Sequence, residues 1–209
     1  MNLQAVYMTI YIVLLWYGLR TIEHDRDFRI KLKKSDKILF VFLSVFPILW
    51  ITSADTGAGL FATFEFPYLQ VSAITDKKTK LVYISPTIIL VILAVICECI
   101  TFHRLSACSL ILFLALSGMS YTGMFGFGDV PMSFVPGIAF YLRFPQNGFL
   151  TAMLFECIFM LFSQILFLIE NYASGNMQTA FKLKEGQPLG PSLLIGSYIS
   201  FGAYFALIN

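Results

Sequence analysis

Charge is scarce in this sequence. Only 12% of its 209 residues are Asp, Glu, Lys or Arg, about half the share a soluble domain carries. There are two Trp, two His and four Cys, and the net charge is +2. A disordered chain draws on abundant charge, and a nucleic-acid interface on a basic surface. A small secreted scaffold draws on dense cysteine pairing. This composition excludes all three. Cys97, Cys99, Cys108 and Cys157 fall inside or beside apolar runs, where Cys behaves as a small buried hydrophobe. Period-two alternation is also missing, which argues against a membrane β-barrel.

Apolar residues are what the chain has in plenty. They make up 58% of it, 22 of them Phe, and the mean hydropathy is +0.79. They come in runs at 3–19, 38–52, 57–75, 82–101, 105–121, 130–142, 149–169 and 190–208. A spanning helix needs about 20 apolar residues, and lipid admits only helices and closed barrels. The expected fold is all-α: a polytopic membrane protein of about eight transmembrane helices. An N-terminal hairpin occupies residues 1–56 and a six-helix core residues 57–209. The first run is read as a retained helix, because no basic segment precedes it and no small-residue cleavage site follows.

Lys and Arg are unevenly placed. With residues 20–37 set inside and the runs alternating, twelve basic residues fall on the inner side and two, Arg104 and Arg143, on the outer. By the positive-inside rule the inner side is cytoplasmic. Asp76 and Asp129 then lie at the same membrane face. Asp76 closes the third run and heads a basic turn, Asp76 to Lys80. Asp129 follows Gly126-Phe127-Gly128 and precedes Pro131, at the position of an N-cap. Gly126 and Gly128 leave room for a second backbone that a Cβ would take away. Two carboxylates drawn from different helices can share one proton. The ionised one then activates water, and the protonated one holds a scissile carbonyl.

These residues resemble a family. Gly126-Phe127-Gly128-Asp129 is similar to the GxGD signature of type IV prepilin peptidases and preflagellin peptidases, the GxGD membrane aspartyl proteases. Their first aspartate also closes an apolar helix ahead of a basic turn, as in Thr75-Asp76-Lys77-Lys78-Thr79-Lys80. Their last span often opens with Pro-x-Gly-Pro, here Pro188-Leu189-Gly190-Pro191. The resemblance implies that Asp76 and Asp129 are catalytic and that Gly126, Gly128, Pro188, Gly190 and Pro191 shape the site. It implies a prepilin-like membrane substrate, cut after its basic leader at the cytoplasmic face of the inner membrane. No cofactor, metal or nucleic acid is expected, and the lipid bilayer is the other partner. The loop at 20–37 has no Cys and is too short for the family's methyltransferase domain, so peptidase activity alone is implied. The sequence departs from the family at Pro131, where Lys is frequent, and at Val82-Tyr83.

Other readings stay in view. A non-catalytic transporter or a secretion or pilus assembly scaffold would also use broken helices, and a presenilin-like protease shares GxGD. Asp55-Thr56-Gly57 imitates the motif of soluble aspartic proteases without their β-rich fold. Asp25 and Asp27 are weaker candidates for the first aspartate. Cys97, Cys99, His103 and Cys108 suggest a metal site, but Cys97 and Cys99 lie about 200° apart around one helix. Glu65 lies about three turns from Asp76 on the same helix face. Both it and Glu156 are expected to point into the bundle, protonated or hydrogen-bonded, in structural rather than catalytic roles.

Overall fold

The computed structural model describes residues 3–25, 30–82, 85–103, 107–122, 128–144, 148–173, 175 and 189–208, with backbone alone at 85, 148–149, 151–153 and 204–208. Among the described residues there are eight α-helices and no strand. They are α1 Leu3–His24, α2 Lys34–Ser53, α3 Thr56–Thr79, α4 Ser85–Phe102, α5 Cys108–Tyr121, α6 Asp129–Arg143, α7 Gly148–Ala173 and α8 Gly190–Ile208. Among the described residues, three helical segments are long and apolar enough to cross a membrane: Leu3–His24, Lys34–Ser53 and Leu154–Ala173. They lie on the outside of the bundle, where Trp16, Val41, Phe42 and Leu161 are exposed.

The least apolar helices are the most central. Along α3, Phe61, Phe66 and Leu69 are buried, and so are Thr63, Glu65, Gln70, Ser72, Thr75 and Asp76. Every residue of α6 from Val130 to Leu142 is buried. A helix wrapped by other helices never meets hydrocarbon, so it can carry polar groups that a lipid-facing helix cannot. Gln70 shows how such a group is accommodated. Its Oε1 accepts from Tyr11 Oη at 3.1 Å, and its Nε2 donates to the Leu43 carbonyl and to Tyr198 Oη, both at 3.1 Å. One amide thereby joins α1, α2, α3 and α8.

Contacts with α3 and its flanks set the helix directions. α1 runs parallel to α3, since Tyr7 Oη donates to the Thr56 carbonyl at 3.3 Å and Gly18 faces Val71. α2 is antiparallel to α3: Asp36 meets Lys78 and Phe46 meets Phe66. α4 returns beside α3, bringing Cys97 and Thr101 against Gly57. α6 is also antiparallel to α3. Arg143, at its end, lies over the Trp50 ring and within electrostatic reach of Asp55, just ahead of α3. Gly128, at its start, faces Val82 just beyond α3. α8 begins at Asp76 and reaches Trp50 through Phe201, with ring centroids 4.4 Å apart.

Aromatic packing fills the far half of the bundle. Phe46 stacks on Tyr198 at 4.6 Å, Phe140 on Phe155 at 4.1 Å, and Phe155 meets Phe201 at 5.0 Å. Each such pair adds about 0.5–1.5 kcal/mol beyond its buried area. This cluster clamps α2, α6, α7 and α8 together away from the end that carries Lys77 and Lys78.

Two local expectations are corrected. Asp76 to Lys80 is not a turn after the helix: α3 continues to Thr79, and Lys80 closes it in the left-handed region (φ 59°), donating its N–H to the Asp76 carbonyl at 2.8 Å. Lys77 and Lys78 stand in that last turn, where the helix dipole favours cations. Asp129 is the first helical residue rather than the N-cap; Gly128 holds the cap position. Pro131 then falls in the first turn of α6, where its missing N–H leaves no intrahelical bond unmade.

Candidate active site at the basic end of the bundle

The last turn of α3 packs into the first turn of α8. Asp76, 7% exposed, accepts a hydrogen bond on Oδ2 from the Gly190 amide at 2.6 Å, and the Leu189 amide also donates to this carboxylate. These are orphan donors of a helix N-terminus, where the dipole adds its own attraction for an anion. The next residue, Pro191, has no N–H to leave unpaired. Gly190 is needed for the approach. A Cβ there would lie 2.9 Å from Asp76 Oδ2, 3.1 Å from Asp76 Cβ and 3.2 Å from Ala73 Cα. The motif around Gly190 and the aspartate closing the third run are thus brought into direct contact across 114 residues.

Asp129 reaches the same end by a different route. Gly128 faces the Val82 side chain, and Val82 stands six residues beyond Asp76. Because α3 and α6 are antiparallel neighbours, the end of one and the start of the other share a face of the bundle. Asp129 is partly exposed there, in the first turn of α6. Gly128 has φ −67°, and a Cβ on it would sit 3.4 Å from Val82 Cβ, an ordinary contact. The backbone at Gly128 is thus ordinary helix, and within the described residues a Cβ there meets only the Val82 side chain. Gly126 and Pro188 lie outside the described residues, as does Asp27.

Ion pairs ring this end. Lys78 Nζ meets Asp36 Oδ2 at 2.5 Å, Lys77 Nζ meets Glu170 Oε1 at 3.3 Å, and Lys37 Nζ meets Glu23 Oε1 at 3.2 Å. They tie α3 to α2 and α7, and α2 to α1. All are substantially exposed, so each contributes no more than about 1 kcal/mol.

The remaining polar candidates sort by their surroundings. Glu65 is fully buried and Glu156 is 4% exposed, so both point inward as expected. Of the two states expected, protonated or hydrogen-bonded, the second is not seen: no carboxyl oxygen of either has a hydrogen-bond partner among the described residues. Glu156 lies against Gly137 of α6. Asp55 is the N-cap residue of α3, so Asp55-Thr56-Gly57 is a helix start. Among the described residues no group of three or more His, Cys, Asp or Glu is placed to hold a metal ion. Cys108 Sγ instead donates to Tyr141 Oη at 3.4 Å.

Sequence reasoning passed over Glu98. Its carboxylate accepts from Ser109 N at 2.9 Å and Ser109 Oγ at 3.2 Å, capping the first turn of α5 from the neighbouring helix. The signal was present as a lone acid inside the fourth apolar run. It had been overshadowed by the cysteines on either side. Compared with protein-family models, with curated proteins and with solved structures, the chain matches none.

Proposed function

We propose that the chain is an eight-span membrane aspartyl endopeptidase of the prepilin-peptidase type, acting at the cytoplasmic face of the inner membrane without a methyltransferase domain. The observation that carries this reading is the meeting of three separated sequence elements at one end of the bundle. Asp76, Asp129 and Gly190-Pro191 are far apart in the chain, and the helix directions bring them to one face. The basic residues gather at that face too, which under the positive-inside rule is the cytoplasmic one.

In this reading one aspartate is ionised and the other protonated. The ionised carboxylate removes a proton from water as the oxygen attacks the scissile carbonyl carbon, and the protonated one donates a hydrogen bond to the developing oxyanion. Collapse of the tetrahedral intermediate returns a proton to the leaving amine and restores the pair. The amides of Leu189 and Gly190 would hold the Asp76 side chain in position while the substrate binds.

A second reading has one observation in its favour. Asp76 is already engaged by the start of α8, so it serves equally as an interhelix latch in a non-catalytic assembly scaffold. Asp76→Asn separates the two, because the amide oxygen still accepts from Gly190 N–H while the acid is lost. The test is co-expression with a prepilin, following removal of the leader by gel shift. Asp76→Asn and Asp129→Asn proteins that insert normally and do not process support the peptidase. Processing by either variant removes that residue from the chemistry.

A further inference from the structure

Two cavities adjoin, one between α1, α3 and α4 and one on the surface of the last turns of α1. The first is a groove of about 420 Å³ lined by Leu14 and Gly18 of α1, Phe64, Pro67 and Val71 of α3, and Ile89 of α4. The second, about 400 Å³, is lined by Arg20, His24 and Asp25. Tyr17 and Thr21 line both, so the apolar groove opens directly into the polar cavity. Both volumes fall in the range of roughly 300–1,000 Å³ typical of small-ligand sites.

We infer that this pair of cavities holds one glycerophospholipid of the basic-side leaflet, its phosphate at Arg20 and an acyl chain along the groove. Charge selects the occupant. Among the described residues at this end, Lys37, Lys77 and Lys78 are each matched to a carboxylate, Lys31, Lys33, Lys34, Lys80 and Arg20 are not, and of these five only Arg20 lines either cavity. Among the described residues no carboxylate lies within ion-pairing distance of Arg20, whose guanidinium rests 5.2 Å over the Trp16 ring. Asp25, in the same wall, has contacts of its own within the chain. A guanidinium is suited to a phosphodiester, presenting paired donors to its oxygens. The Thr21 hydroxyl donates to the Tyr17 carbonyl and His24 Nδ1 donates to the Arg20 carbonyl, both at 2.9 Å, so these protons are already used and the Arg20 guanidinium is the donor for the phosphate. The groove continues away from this head site toward the middle of α3, the direction an acyl chain takes from the interface into the hydrocarbon.

The inference rests on the membrane reading of the bundle and is independent of the peptidase assignment. The test uses the full chain purified in detergent, offered dioleoyl phosphatidylglycerol or dioleoylglycerol and read by native mass spectrometry. One phosphatidylglycerol is expected to stay bound as detergent is stripped. Dioleoylglycerol, with the same chains and no phosphate, is expected to bind about tenfold more weakly, as loss of one charge-assisted contact implies. Arg20→Gln should reduce phosphatidylglycerol retention to a similar degree. Ile89→Trp should reduce it by filling the groove from an exposed position, while Ile88→Trp, exposed next door and outside the lining, should leave it unchanged. Equal retention of the two lipids, or of phosphatidylglycerol by all variants, would mean annular lipid only and overturn the site. Ile89→Trp blocking prepilin processing with the lipid adduct intact would assign the groove to a peptide segment and likewise overturn it.

Discussion

Asp76 and Gly190 stand 114 residues apart in the chain and are joined by a hydrogen bond of 2.6 Å from the glycine amide to the carboxylate. The bond fastens the end of the central helix to the start of the last one. It also places an acid at a helix N-terminus, where two backbone amides reach it.

Gly190→Ala should therefore be costly and Gly128→Ala mild. The new methyl at 190 would meet Asp76 and the α3 backbone within 3.2 Å, whereas the one at 128 would meet Val82 at 3.4 Å. Overpacking of this kind costs about 1–3 kcal/mol. Thermal unfolding in detergent should show a clear drop in Tm for Gly190→Ala and little change for Gly128→Ala. Equal Tm values would mean that α8 can shift freely against α3.

Asp76→Asn should keep most of the stability and Asp76→Leu should not. Asn can still accept the Gly190 N–H, but Leu strands two amides at a buried helix start, at about 1–3 kcal/mol. The comparison of Tm values checks this without reference to activity. A Leu variant as stable as wild type would show that the amides find water.

Gln70→Leu should be among the more damaging isolated substitutions. It removes partners from Tyr11, the Leu43 carbonyl and Tyr198 together, and a single stranded buried group costs about 1–3 kcal/mol. Gln70→Glu keeps the acceptor for Tyr11 but loses both donated bonds. Protease sensitivity of the purified protein should rise for both, and more for Leu. Resistance equal to wild type would dismiss the four-helix junction as a stabilising element.

Glu98→Ala should loosen the start of α5, because Ser109 N–H and Oγ lose their acceptor. Hydrogen exchange in the first turn of α5 should accelerate, with the outer helices unaffected. Glu65→Gln, in contrast, should preserve both fold and processing. Glu65 has no hydrogen-bond partner to lose among the described residues and lies about 16 Å along α3 from Asp76. A folded but inactive Glu65→Gln protein would bring that acid into the mechanism.

The sequence by itself determined that this is a chain of apolar helices, and it determined nearly where they lie. Apolar runs and the basic clusters between them leave few other solutions, since backbone in lipid must be hydrogen-bonded within its own segment. It also singled out Asp76 and Asp129 as acids at the ends of apolar runs, while Gly190 was marked only by the resemblance of Pro188-Leu189-Gly190-Pro191 to a family element. Periodicity could not rank the helices. α3 reads as the weakest span because it holds Glu65, Pro67 and Gln70, yet it is the central helix, and those polar groups face other helices. Nor could local pattern reveal that Gln70 bonds across four helices or that Glu98 caps α5, since those partners are chosen by packing. The contact between Asp76 and Gly190 was likewise decided by tertiary structure alone. It depends on the direction of α8 against α3 and on a glycine standing where the two backbones come closest.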